Sequence, residues 1–154
     1  MKILSSIVLA VWAITLLRTI VNLLLVRRLS PEVPRHDLSI SVIVPARDEE
    51  RSIARTVAAL LAQTHRRLEV IVVDDRSADA TGVILSDLAR RDPRLTVVKG
   101  VEPPDGWLGK PWALHQGSLR ATGELLLFVD ADVFYAPEAV ASALGASSRC
   151  SAGM

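Results

Sequence analysis

The sequence predicts an α/β domain: a mostly parallel sheet with helices on both faces. Three observations carry that expectation. From residue 38 onward, strand-length apolar runs alternate with stretches whose apolar residues recur at helical spacing. The runs ISVIV (40–44), EVIVV (69–73) and LLLFV (125–129) are apolar nearly throughout, as strands covered on both faces require. Three of the runs end in charged residues, at Arg47-Asp48-Glu49, Asp74-Asp75 and Asp130-Ala131-Asp132. In open parallel sheets, ligands bind beyond the carboxyl ends of the strands.

The elements follow in chain order. Residues 3–26 form a nearly unbroken apolar run of 24 residues, interrupted by Arg18 and Asn22. At ~1.5 Å rise per residue this length suffices for a hydrocarbon core of ~30 Å. A cleaved signal peptide would need small residues after the run, which ends instead in Leu-Leu-Leu-Val-Arg-Arg. A buried core helix would be unusually long. The expectation is therefore a membrane anchor over residues 1–29, with Arg18 costing about 2.5–3.5 kcal/mol near its middle. Lys2 precedes the run, while Arg27, Arg28 and Arg35 follow it. The positive-inside rule then places the following domain on the cytoplasmic side of a bacterial-type plasma membrane. One cysteine, Cys150, is consistent with a reducing compartment. Residues 30–37, with Pro31 and Pro34, read as a linker to a domain at 38–154.

Within that domain a first strand at 40–44 is halted by Pro45. An amphipathic helix over 50–63 carries Ile53, Val57, Leu60 and Leu61 on one face. The second strand, 69–73, leads to a helix that Ser77 or Thr81 can cap and that runs to Arg91. A third strand follows at 95–98. A Gly- and Pro-rich loop with Lys110 then precedes a short helix at 112–121. The fourth strand ends at Asp130, and Pro137 opens a last helix to about residue 146.

Strand alternation sends residues i and i+2 the same way, so Asp130 and Asp132 are expected to leave one strand end together. Two carboxylates suit a hard cation, Mg²⁺ or Mn²⁺, which takes one or two carboxylates plus substrate phosphates. Taken alone, D-x-D is equally a solvated strand end. A rim with further carboxylates and Lys110 on its loop suits a nucleoside diphosphate ligand, the cation neutralising charge on the leaving diphosphate. Asp75 can accept from a base N–H, and Asp130 can reach ribose hydroxyls. The 18 Lys+Arg against 17 Asp+Glu give no case for nucleic acid. Neither a dinucleotide fingerprint nor a P-loop motif occurs.

The segments SVIVPARDEE (41–50), EVIVVDDRSADAT (69–81) and LLFVDAD (126–132), in that order, resemble the family 2 glycosyltransferases of the GT-A fold. GWLGKPWALHQG (106–117) is similar to a loop of a narrower branch that includes hopanoid-associated and carotenoid-type membrane glycosyltransferases. The resemblance spans about residues 40–140. It implies a nucleotide-sugar donor, a uridine diphosphate sugar being expected, a lipid-like acceptor and transfer with inversion. Pro45, Arg47 and Glu49 fall where the family lines the nucleoside pocket, Asp75 where it contacts the base, with Asp74 beside it. Lys110 falls near the diphosphate, and Asp130 and Asp132 form the D-x-D, Asp132 being the expected direct metal ligand. Members often carry Asn at the positions of Asp48 and His115. Trp107 and Trp112 either shape the sugar or lipid side or simply pack.

Members of the family continue well beyond the D-x-D strand, where an acidic residue acts as general base on the acceptor hydroxyl. Here 22 residues follow Asp132 and no such motif is visible. The expectation is therefore a donor and metal half, partial at its C-terminus, with no catalytic base assigned. A non-catalytic nucleotide-sugar-binding fragment shares every motif. A haloacid-dehalogenase-type phosphatase would need its nucleophilic Asp in the first strand and Thr or Val where Phe134 stands.

Overall fold

In a computed structural model, residues 2–25 and 38–151 are described, with side chains for 6, 8–24 and 38–145. The chain forms two compact units, Met1–Ser30 and Pro31–Met154. The linker expected at residues 30–37 lies outside the described residues.

The first unit is one helix, α1 (Lys2–Leu25). Thr15, Arg18, Thr19 and Asn22 recur at i, i+3, i+4 and i+7, so they draw one polar stripe along it. The two threonine hydroxyls turn inward, donating to Val11 O at 2.8 Å and Thr15 O at 2.9 Å. Among the described residues no helix is long and apolar enough to cross a membrane. The spanning anchor expected over 1–29 is not shown by α1; Arg18 and Asn22, read as interruptions, belong to that stripe.

The second unit is a four-stranded parallel sheet of order β3-β2-β1-β4, from β1 (Ile40–Ala46), β2 (Leu68–Asp74), β3 (Leu95–Lys99) and β4 (Leu125–Phe128). Helices α2 (Ile53–Leu61), α3 (Thr81–Arg91) and α4 (Gly109–Ser118) connect them, and α5 (Ala139–Ser151) follows. The alternation of the pleat divides the core. Ile40, Val42, Val44 and Ala46 of β1 pack with Ile53, Val57 and Leu60 of α2, Leu85 of α3, and Val140 and Leu144 of α5. On the other face α4 lies against β1 and β2. A Cβ on Gly117 would stand 2.5 Å from Ile43 Cγ2 and 3.0 Å from Val73 Cγ2, so only glycine lets α4 come this close.

Several boundaries differ from expectation for identifiable reasons. β1 runs through Pro45, paired with Val73, instead of stopping at it. Ala46 O accepts from Asp75 N and Ile43 O from Val129 N. Alternation therefore turns the Pro45 nitrogen towards β4, whose pairing has already ended at Ile43. No ladder bond is lost. The fourth run, expected to be buried, is an edge strand: Leu126 is 44% and Phe128 50% exposed. α4 begins at Gly109, three residues earlier than expected, because Pro111 falls in its first turn, where a missing N–H is harmless.

Candidate active site at the carboxyl edge of the sheet

The carboxyl ends of β1, β2 and β4 and the start of α4 enclose a cleft of about 390 Å³. Pro45, Arg47, Glu49, Asp75, Lys110, Asp130 and Asp132 line it, with Ala46, Gly109 and Ala131 between them. Of the residues expected to bind donor or metal, Asp74 alone lies elsewhere, and Asp48, Trp107, Trp112 and His115 are likewise not part of the lining. Asp74 Oδ1 accepts from Ser77 N at 3.1 Å, and its Oδ2 fills the space beside Gly82 at the start of α3. Adjacent strand residues point to opposite sides, so Asp74 and Asp75 part company.

The β1 end is set by Asp48, which holds a left-handed backbone at φ 55°. Asp and Asn reach that conformation more readily than other L-residues. The turn brings residues 48–50 against residues 77–81. Asp48 N donates to Ser77 Oγ at 3.0 Å, while Ala78 N donates to Asp48 Oδ1 at 2.7 Å. Glu49 N donates to Thr81 Oγ1 at 2.8 Å, and Glu50 N to Asp79 Oδ2 at 3.0 Å. Ser77 and Thr81 thus clasp the two loops, and the capping expected of them passes to Asp79, whose Oδ1 accepts from Thr81 N at 2.9 Å. Glu49, half-buried, accepts from Ser52 Oγ on the next turn.

Asp75 is 4% exposed and sits between two guanidinium groups. Arg76 Nε donates to its Oδ1 at 3.1 Å, and Arg47 Nη1 lies 4.0 Å from its Oδ2. Arg76, at φ 60°, also pairs with Glu102, tying the end of β2 to the loop before α4. That loop is held further by Trp112 Nε1 donating to Val101 O at 3.0 Å and Val101 N donating to Gln116 Oε1 at 2.9 Å. The rings of Trp107, Trp112 and His115 meet pairwise with centroids 5.2–5.4 Å apart, so these side chains pack together. Lys110, expected on a flexible loop, is instead the second residue of α4, and its Nζ lies 2.6 Å from Asp130 Oδ1.

Asp130 and Asp132 lie in the turn after β4, not on the strand, so strand alternation does not orient them. Two unanticipated side chains shape that turn. Thr56 of α2 donates to Ala131 O at 2.7 Å. Tyr135 Oη accepts from Asp130 N at 3.2 Å and donates to Asp130 O at 3.3 Å. Burial pushes the Tyr135 pKa up, the Asp130 and Asp132 charges add to this, and the bond from Asp130 N opposes it. Thr56 did leave a signal: a hydroxyl on the apolar stripe of α2 needs an internal partner.

Four carboxylates and two cationic side chains line the cleft. That surplus of negative charge would repel a diphosphate on its own and admits one carried by a divalent cation. Among the described residues no group of three or more His, Cys, Asp or Glu converges as a closed metal cage. The exposed pair Asp130 and Asp132 has the hard oxygen chemistry that would suit Mg²⁺ or Mn²⁺ completed by phosphate oxygens.

The fold is similar to that of a mannosyltransferase from Pyrobaculum calidifontis solved with GDP-Man and Mn²⁺ (TM-score 0.61, 30% identity, 72% of this chain and 33% of that one). It is similar also to S. aureus TarS 1–349 solved with UDP (TM-score 0.59, 32% identity, 73% of this chain and 32% of that one). In sequence it is 36% identical over 95 residues to a 4,4'-diaponeurosporenoate glycosyltransferase of Staphylococcus haemolyticus, covering 62% of this chain. The chain spans about a quarter of that relative's length (24%). Residues 41–149 carry the Glycosyl transferase family 2 pattern, and the chain belongs to that family.

Proposed function

We propose that residues 38–154 form the donor domain of a metal-dependent, inverting glycosyltransferase that takes its sugar from a nucleotide-diphosphate sugar. The observation that carries this reading is the convergence of Arg47, Glu49, Asp75, Lys110, Asp130 and Asp132 on one cleft from separate elements. Asp75, held by Arg76, accepts from a base N–H, with Pro45, Arg47 and Glu49 along the nucleoside. Asp130 and Asp132 hold the cation, Asp132 being the freer of the two. When bound, the cation neutralises charge developing on the departing diphosphate. Lys110 offers a second positive charge on the same side. The acceptor hydroxyl forms the new bond to the anomeric carbon as the bond to the diphosphate oxygen breaks. Its proton passes to a base outside this cleft, whose carboxylates are all engaged with the donor.

A UDP-sugar is the proposed donor, in keeping with the UDP bound by TarS, although the mannosyltransferase neighbour holds GDP-Man. The lipid-like acceptor rests on the named diaponeurosporenoate relative and on the exposed lip of Trp107 and Leu108 beside Gly109. Calorimetric titration with a UDP-sugar, with and without Mn²⁺, tests the donor site. Binding only with Mn²⁺, lost in Asp132→Ala, is the expected result; binding indifferent to both would overturn it. Because the chain spans about a quarter of its relative, a nucleotide-sugar-binding role without transfer is the second reading. Donor binding with no transfer of labelled sugar into a lipid extract would favour it.

A further inference from the structure

We propose that Lys110 is an internal cation that holds the metal position of Asp130 until a nucleotide diphosphate arrives, so that the metal enters with the donor and not ahead of it. This rests on the donor-site reading above. The ammonium lies 2.6 Å from Asp130 Oδ1, a full charge-assisted hydrogen bond, on one of the two carboxylates available to the metal. An ammonium and a divalent cation cannot share that oxygen at contact distance without strong repulsion. With no third carboxylate converging among the described residues, losing Asp130 leaves a free cation with Asp132 alone.

The backbone and side chain of Lys110 behave differently. The backbone is fixed in the first turn of α4, between Gly109, packed close to Asp75, and Pro111. Gly117 holds the same helix against β1 and β2. The side chain is 60% exposed and Asp130 52%, so the four-carbon stem is free to swing. A diphosphate offers the ammonium a denser set of anionic oxygens than one carboxylate does. Lys110 then transfers to phosphate, Asp130 is released to the metal, and each ligand strengthens the other's binding. By linkage, that coupling is the same whichever ligand is added first.

The test measures Mn²⁺ affinity directly in the full chain, by the paramagnetic resonance signal of free Mn²⁺, with and without UDP. Wild type is expected to bind free Mn²⁺ weakly and to tighten strongly with UDP. Lys110→Met should bind free Mn²⁺ on the order of tenfold more tightly, and the gain produced by UDP should shrink by a similar factor. Lys110→Gln provides a second, polar variant, and adding Asp130→Ala to Lys110→Met should erase the gain in free-metal affinity. Unchanged or weaker free-Mn²⁺ binding in both Lys110 variants would overturn the proposal. So would a gain that survives Asp130→Ala, or free Mn²⁺ binding in neither wild type nor variants. Failure of wild type to bind UDP with Mn²⁺ would instead sink the donor-site reading.

Discussion

The hydroxyl of Tyr135 closes on the backbone of Asp130 from both directions, accepting from its N–H at 3.2 Å and donating to its carbonyl at 3.3 Å. The five-residue step between them is thus tied into a loop whose far end is the first D-x-D carboxylate. Tyr135→Phe removes both bonds and little packing. UDP·Mn²⁺ affinity is expected to fall about fivefold, the equivalent of roughly 1 kcal/mol, with little change in Tm. A calorimetric titration checks it; an equal loss in Tm and affinity would mean that Tyr135 only stabilises the fold.

Glu69 does the corresponding work at the opposite end of the sheet. Its Oε1 accepts from Ser41 Oγ at 2.5 Å, Thr122 N at 2.7 Å and Thr122 Oγ1 at 2.8 Å, pinning the approach to β4. Burial alone would push its pKa up, but these bonds outweigh it and hold the carboxyl below its ordinary 4.5. A depressed carboxylate pKa gives stability that is present above the unfolded value and lost as pH falls through the folded one. Glu69→Gln should cost about 1 kcal/mol at pH 7, and its deficit should narrow below pH 4.5. Urea melts at pH 7 and at progressively lower pH decide it, and a constant gap would contradict it.

Asp48 combines a left-handed backbone at φ 55° with a side chain that accepts from Ala78 N. Asn keeps both properties, whereas alanine loses the acceptor and adapts poorly to positive φ. Asp48→Asn should change stability by less than about 0.5 kcal/mol. Asp48→Ala should cost about 1–2 kcal/mol and weaken donor binding through the adjacent Glu49. Thermal melts of the two variants side by side measure the difference.

The alternation of β1, α2, β2, α3 and β3 was legible because each strand is a continuous apolar run and the helices carry one-sided stripes. The cleft was legible because parallel strands put their carboxyl ends on one rim, so charged strand ends must meet there. What escaped depended on tertiary placement. Asp74 and Asp75 read as a pair until the pleat separated them. Pro111 read as the end of a loop, although a first-turn proline is equally a helix start, and this hid the fixed position of Lys110. Thr56 lies 75 residues from the carbonyl it bonds, so its place on the apolar stripe of α2 signals a hydroxyl in need of a partner without identifying that partner. The polar stripe of α1 is present in the spacing of Thr15, Arg18, Thr19 and Asn22, two of which appear singly as interruptions of an apolar run.

The open edge of β4 has a testable consequence as well. Among the described residues β4 pairs only with β1, leaving its other edge open, and Leu126 and Phe128 are about half exposed there. An apolar edge strand is a template for pairing with another chain, and charge on such an edge discourages it. The full chain should therefore self-associate as concentration rises, and Phe128→Lys should suppress this while leaving the fold intact. Phe128 is the last residue of the strand, opposite Ile43, so a lysine there can extend towards solvent without opening the core. Light scattering across a concentration series, with circular dichroism of both proteins, makes the comparison. Association that is equal in wild type and Phe128→Lys would place the sticky surface elsewhere than on β4.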